Sequence, residues 1–300
     1  MPVSIAYLAV VLIWSTTPLG IVWSSESVSP TFAVLSRMVI AVILGWMILR
    51  MRNIYLPWDK AALRLYTFSA LGVYGGMMFS YLAAATISSG MISLIFGLAP
   101  IFSGIFAQKI LAEPKLSAMK KLAMTTSLIG LAIVCSGSLS FDSNLNLGLV
   151  YILMAVIFFS LSGVLVKSVK ISINPVATTV GSLATSVPMF AITWFLFDGT
   201  LPYEQWQARS LWAILYLGIF GSLLGFVAYF YILQKLNAST VALITMMTPV
   251  LAMSFGVILN DEVVSIYLII GAIFVMSGLA IYNWGDQFFS RTLNKSSMSP

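Results

Sequence analysis

The chain has 300 residues, of which 60% are hydrophobic and only 8% are charged, and its net charge is +6. Soluble domains carry about 25% charged residues, so a water-facing surface is excluded for most of this chain and lipid is the expected outer solvent. Histidine is absent, which removes the commonest general base, metal ligand and proton carrier. The single cysteine, Cys135, allows neither an intramolecular disulfide nor a zinc site, so no metal or other cofactor is expected.

Ten apolar segments follow one another along the chain, each close to the roughly 20 helical residues that cross a bilayer. They are residues 4–23, 31–50, 66–86, 88–110, 119–139, 147–167, 175–197, 211–233, 238–259 and 264–284. The first segment lacks a basic n-region and a cleavage site, so it is interpreted as a retained span. The breaks between spans near residues 86–88 and 234–237 contain few polar residues, so the length of a span alone predicts them. These segments predict an all-α integral membrane fold with ten transmembrane helices.

Basic residues are concentrated on one side of this predicted topology. If the N-terminus is cytoplasmic, thirteen of the fifteen Lys and Arg residues fall on the inner side, Arg209 falls outside and Arg37 lies within the second span. Inner loops of membrane proteins carry an excess of Lys and Arg. The bias therefore predicts that both termini are cytoplasmic. It also supports the count of ten spans, because one missed span would move every later loop to the other side of the membrane and remove the bias.

The two halves of the chain repeat the same motifs. An offset of 149 residues relates Gly72 to Gly221, Gly76 to Gly225, Pro100 to Pro249 and Glu113 to Glu262, and an offset of 145 relates Ser29–Pro30 to Asn174–Pro175. Each half has five spans, an odd number, so the second half enters the membrane from the opposite side. The predicted units are a first repeat at 1–139, a second, inverted repeat at 140–286 and a cytoplasmic tail at 287–300. Inverted repeats place a binding site near the bilayer midplane and favour alternating access.

Four segments resemble the drug/metabolite transporter superfamily, specifically its EamA-type exporters. They are LIWSTTPLG at 12–20, LSRMVIAVILG at 35–45, GLAPIFSGIFAQKILAEPKL at 97–116 and MTPVLAMSFGVILNDEV at 247–263. The resemblance implies ten spans, a cavity lined mainly by spans 1–4 and 6–9, and peripheral spans 5 and 10. It also implies export of amino acids or related metabolites across the bacterial inner membrane. WSTTP replaces the usual Trp-Gly pair and NDEV the usual Leu-Gly-Glu, which makes the substrate harder to predict.

Polar and aromatic side chains in the cavity-forming spans are candidates for substrate binding. They are Trp14, Thr17, Arg37, Tyr74, Tyr81, Ser93, Phe96, Phe159, Ser162, Tyr229, Thr245 and Met246. Small-molecule pockets combine apolar walls with a few aimed polar groups, although each of these residues could instead face lipid or pack between helices. Arg37 could anchor a substrate carboxylate, or could be a structural arginine that satisfies carbonyls or extends outward.

Three repeated features have a structural and a functional interpretation. Pro100 and Pro249 remove a helix hydrogen bond and are candidate gating kinks, or are tolerated by packing. The paired glycines of spans 3 and 8 favour close helix packing over ligand contact. Glu113 and Glu262 are expected to cap the start of the following helix, with gate ion pairs as the alternative.

These patterns predict a secondary carrier. No glycine-rich nucleotide loop is present, and the spans contain no Asp or Glu away from their ends, so ATP drive and an intramembrane proton relay are not expected. Facilitated diffusion is predicted, with proton coupling only through a group at a span end. The alternative is a membrane enzyme acting on a lipid, but no catalytic cluster is found. The expected partners are a small-molecule substrate and the bilayer, with no nucleic acid, and the chain is expected to be a monomer.

Overall fold

The computed structural model describes residues 2–138, 143–235 and 244–296, and these residues are helical with short connections and no strand. The helices are α1 Val3–Ser24, α2 Pro30–Met51, α3 Lys60–Ala84, α4 Ser89–Phe96, α5 Ala99–Ile110, α6 Ala118–Ser138, α7 Ser143–Ser168, α8 Pro175–Phe197, α9 Ala208–Tyr216, α10 Gly225–Lys235, α11 Ile244–Asn260 and α12 Ile266–Ser296. A π-helical segment, Leu217–Leu224, joins α9 to α10, and a 3-10 turn covers Tyr203–Gln205.

Seven helical stretches in the described residues are long and apolar enough to cross a membrane, and Met247–Asn260 is a shorter apolar helix. The broken pair α4–α5 counts as one of these stretches, and so does the pair α9–α10 with its π segment, whereas α3 and α6 lie outside the set. The prediction of an all-α membrane protein is therefore confirmed.

Helices α2 and α8 begin in the same way. The Ser29 side chain accepts from the Phe32 N–H at 3.4 Å, and the Asn174 side chain accepts from the Val176 N–H at 2.9 Å. In each case proline is the first helical residue, where its missing N–H costs nothing. The repeated Ser-Pro and Asn-Pro motifs thus mark equivalent helix starts.

Helices α5 and α11 also end alike. Ala112 and Asp261 have left-handed backbone conformations, with φ of 53° and 49°. The N–H of the next residue, a glutamate in both cases, then donates back to Ala107 O at 3.3 Å and to Gly256 O at 3.1 Å. This is the reversal that commonly closes a helix C-terminus, and it occurs at positions related by the repeat offset.

The predicted fourth span is interrupted at Gly97 and Leu98, immediately before Pro100. Proline cannot donate a backbone hydrogen bond and its ring crowds the preceding turn, so the chain makes tighter bonds there, with Leu98 N–H donating to Ile95 O at 3.0 Å. Ser160 of α7 donates to the Ala99 carbonyl at 3.1 Å beside the break. Pro249, by contrast, lies inside α11 without interrupting it.

The broadest helix contacts join α6 with α12 and α3 with α7. Glycines permit the first of these contacts, because a Cβ on Gly130 would lie 2.7 Å from the Gly271 carbonyl oxygen and a Cβ on Gly278 would lie 2.7 Å from the Ala123 carbonyl oxygen. Further contacts join α2 with α8 and with the π segment, α3 with α8, α1 with α9, α10 and α11, α4 with α11, and α5 with α7. Helices from the two halves of the chain therefore interleave.

Candidate functional site

Four of the predicted site residues meet in one aromatic cluster at the centre of the helices. The Trp14 ring centroid lies 5.0 Å from that of Tyr229 and 6.1 Å from that of Phe159. Phe159 is also 5.8 Å from Phe96 and 6.4 Å from Tyr229. The rings come from α1, α4, α7 and α10, and their separations are typical of favourable aromatic pairs. We call Trp14, Phe96, Phe159 and Tyr229 the aromatic cluster.

A small cavity adjoins the aromatic cluster between α3, α7 and α10. Its volume is about 30 Å³, enough for about two water molecules, whereas a metabolite pocket has on the order of 300 Å³ or more. It is lined by Ser69, Gly72, Val73, Phe159, Ser162, Gly163, Val166, Phe226, Tyr229 and Phe230. The predicted site residue Ser162 lies in this wall and donates to Phe68 O at 2.7 Å. A solute can enter here only when the helices separate.

Arg37 is completely buried in α2. Its Nε donates to the Ser222 hydroxyl at 2.9 Å, and its Nη1 lies 3.5 Å from the Tyr81 hydroxyl. Nη2 has no hydrogen-bond partner. No carboxylate pairs with this guanidinium in the described ranges, where the one ion pair joins Arg209 to Glu26. The alternative that Arg37 extends outward to the membrane surface is wrong.

Two glycines of the π segment and α10 lie against Arg37 and against Trp14 of the aromatic cluster. A Cβ on Gly225 would lie 3.2 Å from Trp14 Nε1, and a Cβ on Gly221 would lie 2.9 Å from Arg37 Nη2 and 3.5 Å from Thr17 Oγ1. Gly221 and Gly225 are about one helical turn apart, which is roughly 5–6 Å. These distances agree with the predicted close helix packing at both glycines, and the side chains packed against them include candidate site residues. Gly72 also packs closely, since a Cβ there would overlap Ser162.

The remaining predicted site residues occupy different surroundings. Tyr81 joins the Arg37 group and its hydroxyl also accepts from Ser24 at 3.3 Å. Tyr74 instead faces α8, where its hydroxyl is 2.6 Å from Thr193 Oγ1. Ser93 is buried in α4. The side chains of Thr245 and Met246 lie outside the described part of the chain.

Polar contacts join the two halves at the predicted outer surface. Asn260 accepts from Trp23 Nε1 at 2.7 Å and from Arg209 Nη2 at 2.8 Å, and Arg209 pairs with Glu26 at 3.5 Å. The Glu262 carboxylate accepts from the N–H groups of Ser89 at 3.2 Å and Gly90 at 3.4 Å. We call these contacts the outer clasp.

Glu262 therefore caps a helix, but not the one that the sequence analysis expected. It caps α4 of the first half rather than α12, the helix that follows it. The first N–H groups of a helix lack partners within that helix and carry partial positive charge, so a carboxylate stabilises them. The capping contact holds α4 against the end of α11, and so connects the two halves.

Sequence reasoning missed several residues around the site. Ser222, the nearest hydroxyl to the guanidinium, and Ser69, Phe226 and Phe230 in the cavity wall were not among the candidates. Ser222 follows Gly221 in a segment whose π geometry aims it at Arg37, and no local pattern signals that geometry. Within the described residues, no group of His, Cys, Asp and Glu side chains could hold a metal ion, so this site is built from rings, hydroxyls and one guanidinium.

Comparison with known protein families gives a match over nearly the whole chain. The EamA-like transporter family matches in two stretches, residues 1–136 and 146–284. The two stretches meet close to the predicted boundary between the repeats.

Individual relatives are distant but cover most of the chain. An uncharacterized transporter of Bacillus subtilis, YoaV, is 24% identical over 286 residues, which is 92% of this chain and 95% of that protein. The protein PagO of Salmonella typhimurium is 24% identical over 264 residues, 84% of this chain and 83% of its own. A protein of known crystal structure has a TM-score of 0.65 at 18% identity, covering 93% of this chain and 96% of that one, which supports the fold alone.

Proposed function

Because the chain belongs to the EamA-like transporter family, we propose that it is a secondary transporter that moves small metabolites, amino acids or related compounds, out of the cell by alternating access. The proposal includes ten membrane spans arranged as two inverted repeats, residues 1–139 and 140–286. The central observation is the aromatic cluster, in which α1 and α4 of the first half meet α7 and α10 of the second half beside a cavity.

The helix contacts support the inverted repeat. Exchanging the halves turns α1 into α7, α2 into α8, α3 into α9–α10, α4–α5 into α11 and α6 into α12. Under this exchange the contact of α3 with α7 becomes that of α9–α10 with α1, and both contacts are present. The contact of α5 with α7 likewise becomes that of α11 with α1, and both of these are also present. The pairs α2–α8, α4–α11 and α6–α12 map onto themselves, as expected for helices near a pseudo-two-fold axis. The matching caps at Ser29 and Asn174 agree with the same relation.

The positions of the cavity and of the outer clasp support alternating access. The cavity lies towards the ends of α3, α7 and α10 that carry Lys60, Lys167 and Lys235, which is the predicted cytoplasmic side. The outer clasp closes the opposite side through hydrogen bonds and one ion pair. Opening the clasp while closing the inner ends would expose the same aromatic cluster to the other side. The break before Pro100 provides a pivot in the fourth span, and Pro249 a second candidate kink in α11.

We expect transport to need neither ATP nor an intramembrane proton carrier. All nine Asp and Glu residues lie outside the ten predicted spans, so proton coupling would depend on a group at a span end. The proposal includes cytoplasmic termini, because the predicted inner segments are basic, and a location in a bacterial inner membrane. A monomer suffices, because the two halves of one chain supply both sides of the pathway.

Counterflow in liposomes tests this function. Purified protein is reconstituted without an ion gradient, the vesicles are preloaded with one unlabelled amino acid or aromatic metabolite at a time, and uptake of the labelled solute is measured. At least one solute should accumulate transiently above its equilibrium level, and it should be recovered chemically unchanged. Recovery of an altered solute would instead support a membrane enzyme, and absence of counterflow for every solute would contradict the transporter proposal.

We predict that Glu262→Gln loosens the outer clasp. The amide keeps the size of the side chain but loses the charge that strengthens its bonds to the Ser89 and Gly90 N–H groups, worth about 1 kcal/mol. In a chain carrying Cys135→Ser and Thr17→Cys, an impermeant maleimide added from outside should therefore label several-fold faster. Glu204→Gln, at an exposed outer position, is the matched control and should leave the rate unchanged. Equal labelling rates in the two variants would show that Glu262 does not hold the outer side closed.

A further inference from the structure

We infer that Arg37 is the binding group for a carboxylate on the transported solute, so that the substrates are small carboxylates with an apolar or aromatic body. The site would extend from the aromatic cluster through Thr17 to the guanidinium. This inference rests on the proposed transport function, and it specifies which chemical group on the solute is recognised.

The burial of Arg37 without a counter-charge is the first observation. Its side chain is fully buried among membrane helices, and no described carboxylate pairs with it. An ionised group in such surroundings loses several kcal/mol of hydration, which a bonded anion can offset. A buried guanidinium without a counter-charge is therefore a position at which a bound anion would be stabilised.

The unfilled bonding capacity of the guanidinium is the second observation. Nε is bonded to a neutral hydroxyl, Nη1 has one long hydrogen bond to the Tyr81 hydroxyl, and the buried Nη2 has no hydrogen-bond partner. The guanidinium also lies over the Tyr81 ring, 5.8 Å from its centroid. The Tyr81 hydroxyl is shared with Ser24. A carboxylate binds the guanidinium edge through two parallel N–H···O bonds, and the pair Nη1 and Nη2 presents such an edge.

The local backbone comes close to this edge with no side chain in between. Gly221 lies against Nη2, at a position where a Cβ would approach to 2.9 Å, and Thr17 Oγ1 faces the same glycine. Gly221 and Ser222 belong to the π segment Leu217–Leu224, whereas the repeat-related part of α3 is ordinary α-helix. π-Helical turns are frequent at functional sites. The irregular turn thus occurs in the half that faces the buried arginine, and the arginine itself has no charged counterpart, since its repeat partner is Ser182.

The spacing between the aromatic cluster and Arg37 indicates the size of the solute that would bind. Trp14 lies beside Gly225 and the Arg37 edge lies beside Gly221, and these two glycines are about one helical turn, or roughly 5–6 Å, apart. A carboxylate a few bonds away from a ring or branched chain would span this distance. The aromatic faces would hold the body of the solute, and could also face an ammonium group through cation–π contact. An amino acid and its deaminated acid therefore both fit, whereas the corresponding amides lack the group that Arg37 recognises.

Acid and amide pairs test the inference. Binding to the purified wild type is measured by the shift in melting temperature for phenylalanine against phenylalaninamide, 3-phenylpropionate against 3-phenylpropionamide, and the same pairs built on leucine and valine. We expect one or more acids to bind at least about tenfold more tightly than the matching amide, the ratio typical of a charged hydrogen-bonded pair. Arg37→Gln should remove this preference and leave the weak binding of the amide. Arg64→Gln, which removes a charge from an exposed position, is the matched control and should retain the preference.

Three results would overturn the inference. They are no preference for any acid over its amide in the wild type, an unchanged preference in Arg37→Gln, and a stabilisation by added sodium chloride that equals the effect of the acids and disappears in Arg37→Gln. The last would mean that the guanidinium holds a simple anion. The wild-type comparison needs no variant, so it remains decisive if Arg37→Gln does not fold. Counterflow of a neutral solute by the wild type would preserve the transporter proposal even if the carboxylate inference failed.

Discussion

Replacing Gly130 by alanine is expected to lower the melting temperature of the protein, whereas the same replacement at Gly163 is expected to raise it. A Cβ on Gly130 would lie 2.7 Å from Gly271 O and 2.8 Å from Val275 N, both of which are backbone atoms of α12. A backbone cannot move aside as a side chain can, so α6 and α12 must separate, at a cost of about 1–3 kcal/mol. In lipid this contact depends on close packing, because no hydrophobic force drives helices together there.

Gly163 is the matched control, because a Cβ added to it meets no atom within 4 Å. Alanine in a helix is more favourable than glycine by about 1 kcal/mol, so Gly163→Ala should stabilise α7. Thermal unfolding of both variants in the same detergent measures the difference. Equal shifts, or a stable Gly130→Ala protein, would show that α6 and α12 do not pack as closely as the structure indicates.

Replacing Trp14 by alanine is expected to reduce counterflow about 10- to 100-fold. Trp14 contacts both Phe159 and Tyr229, and each such aromatic pair is worth about 0.5–1.5 kcal/mol beyond the area that it buries. Removing the indole takes away one wall of the proposed site and two of these contacts. The initial counterflow rate, normalised to reconstituted protein, measures the effect.

Trp212→Ala is the control for this prediction. Trp212 is 70% exposed on α9, so it is expected to face lipid, and its removal should leave the rate within about twofold because it has few contacts to lose. Trp14→Phe should recover part of the rate, since a ring remains in place. A Trp14→Ala protein that folds and transports as fast as the wild type would exclude the aromatic cluster as the binding site.

The sequence predicted where the helices begin and end more reliably than it predicted which side of each helix faces the interior. Length and hydropathy locate α1, α2 and α8 to within a few residues, because a bilayer sets the length of a span. The break at Gly97 was not predicted. Pro100 and Pro249 are both candidate kinks in the sequence, yet the helix is interrupted before Pro100 and continuous around Pro249. Helices α1 and α7 are apolar on every side, so periodicity cannot show which of their residues point inward.

The sequence predicted only part of the site, because it does not show which residues of an apolar helix point inward. Trp14, Phe96, Phe159 and Tyr229, which belong to the polar and aromatic candidates in the spans that the family resemblance implies line the cavity, do meet. Tyr74 is a candidate on the same grounds but faces α8, since a rotation of one helix by a single position moves a side chain to another neighbour. The partners of Arg37 and Glu262 come from distant parts of the chain, and a reading of local sequence patterns cannot identify them.

Side-specific labelling of the cavity tests the central claim, which is that one site between the halves opens to one side at a time. Ser162→Cys is introduced with Cys135→Ser, and an impermeant maleimide is applied to right-side-out and to inside-out vesicles, with and without a transported solute. We predict that the cysteine reacts from the cytoplasmic face at the slow rate at which α3, α7 and α10 separate, and that Glu262→Gln shifts its reactivity towards the outer face. Simultaneous and equal reaction from both faces would indicate a continuous pore. Protection from both faces under every condition would mean that the cavity is a packing void and not a transport site.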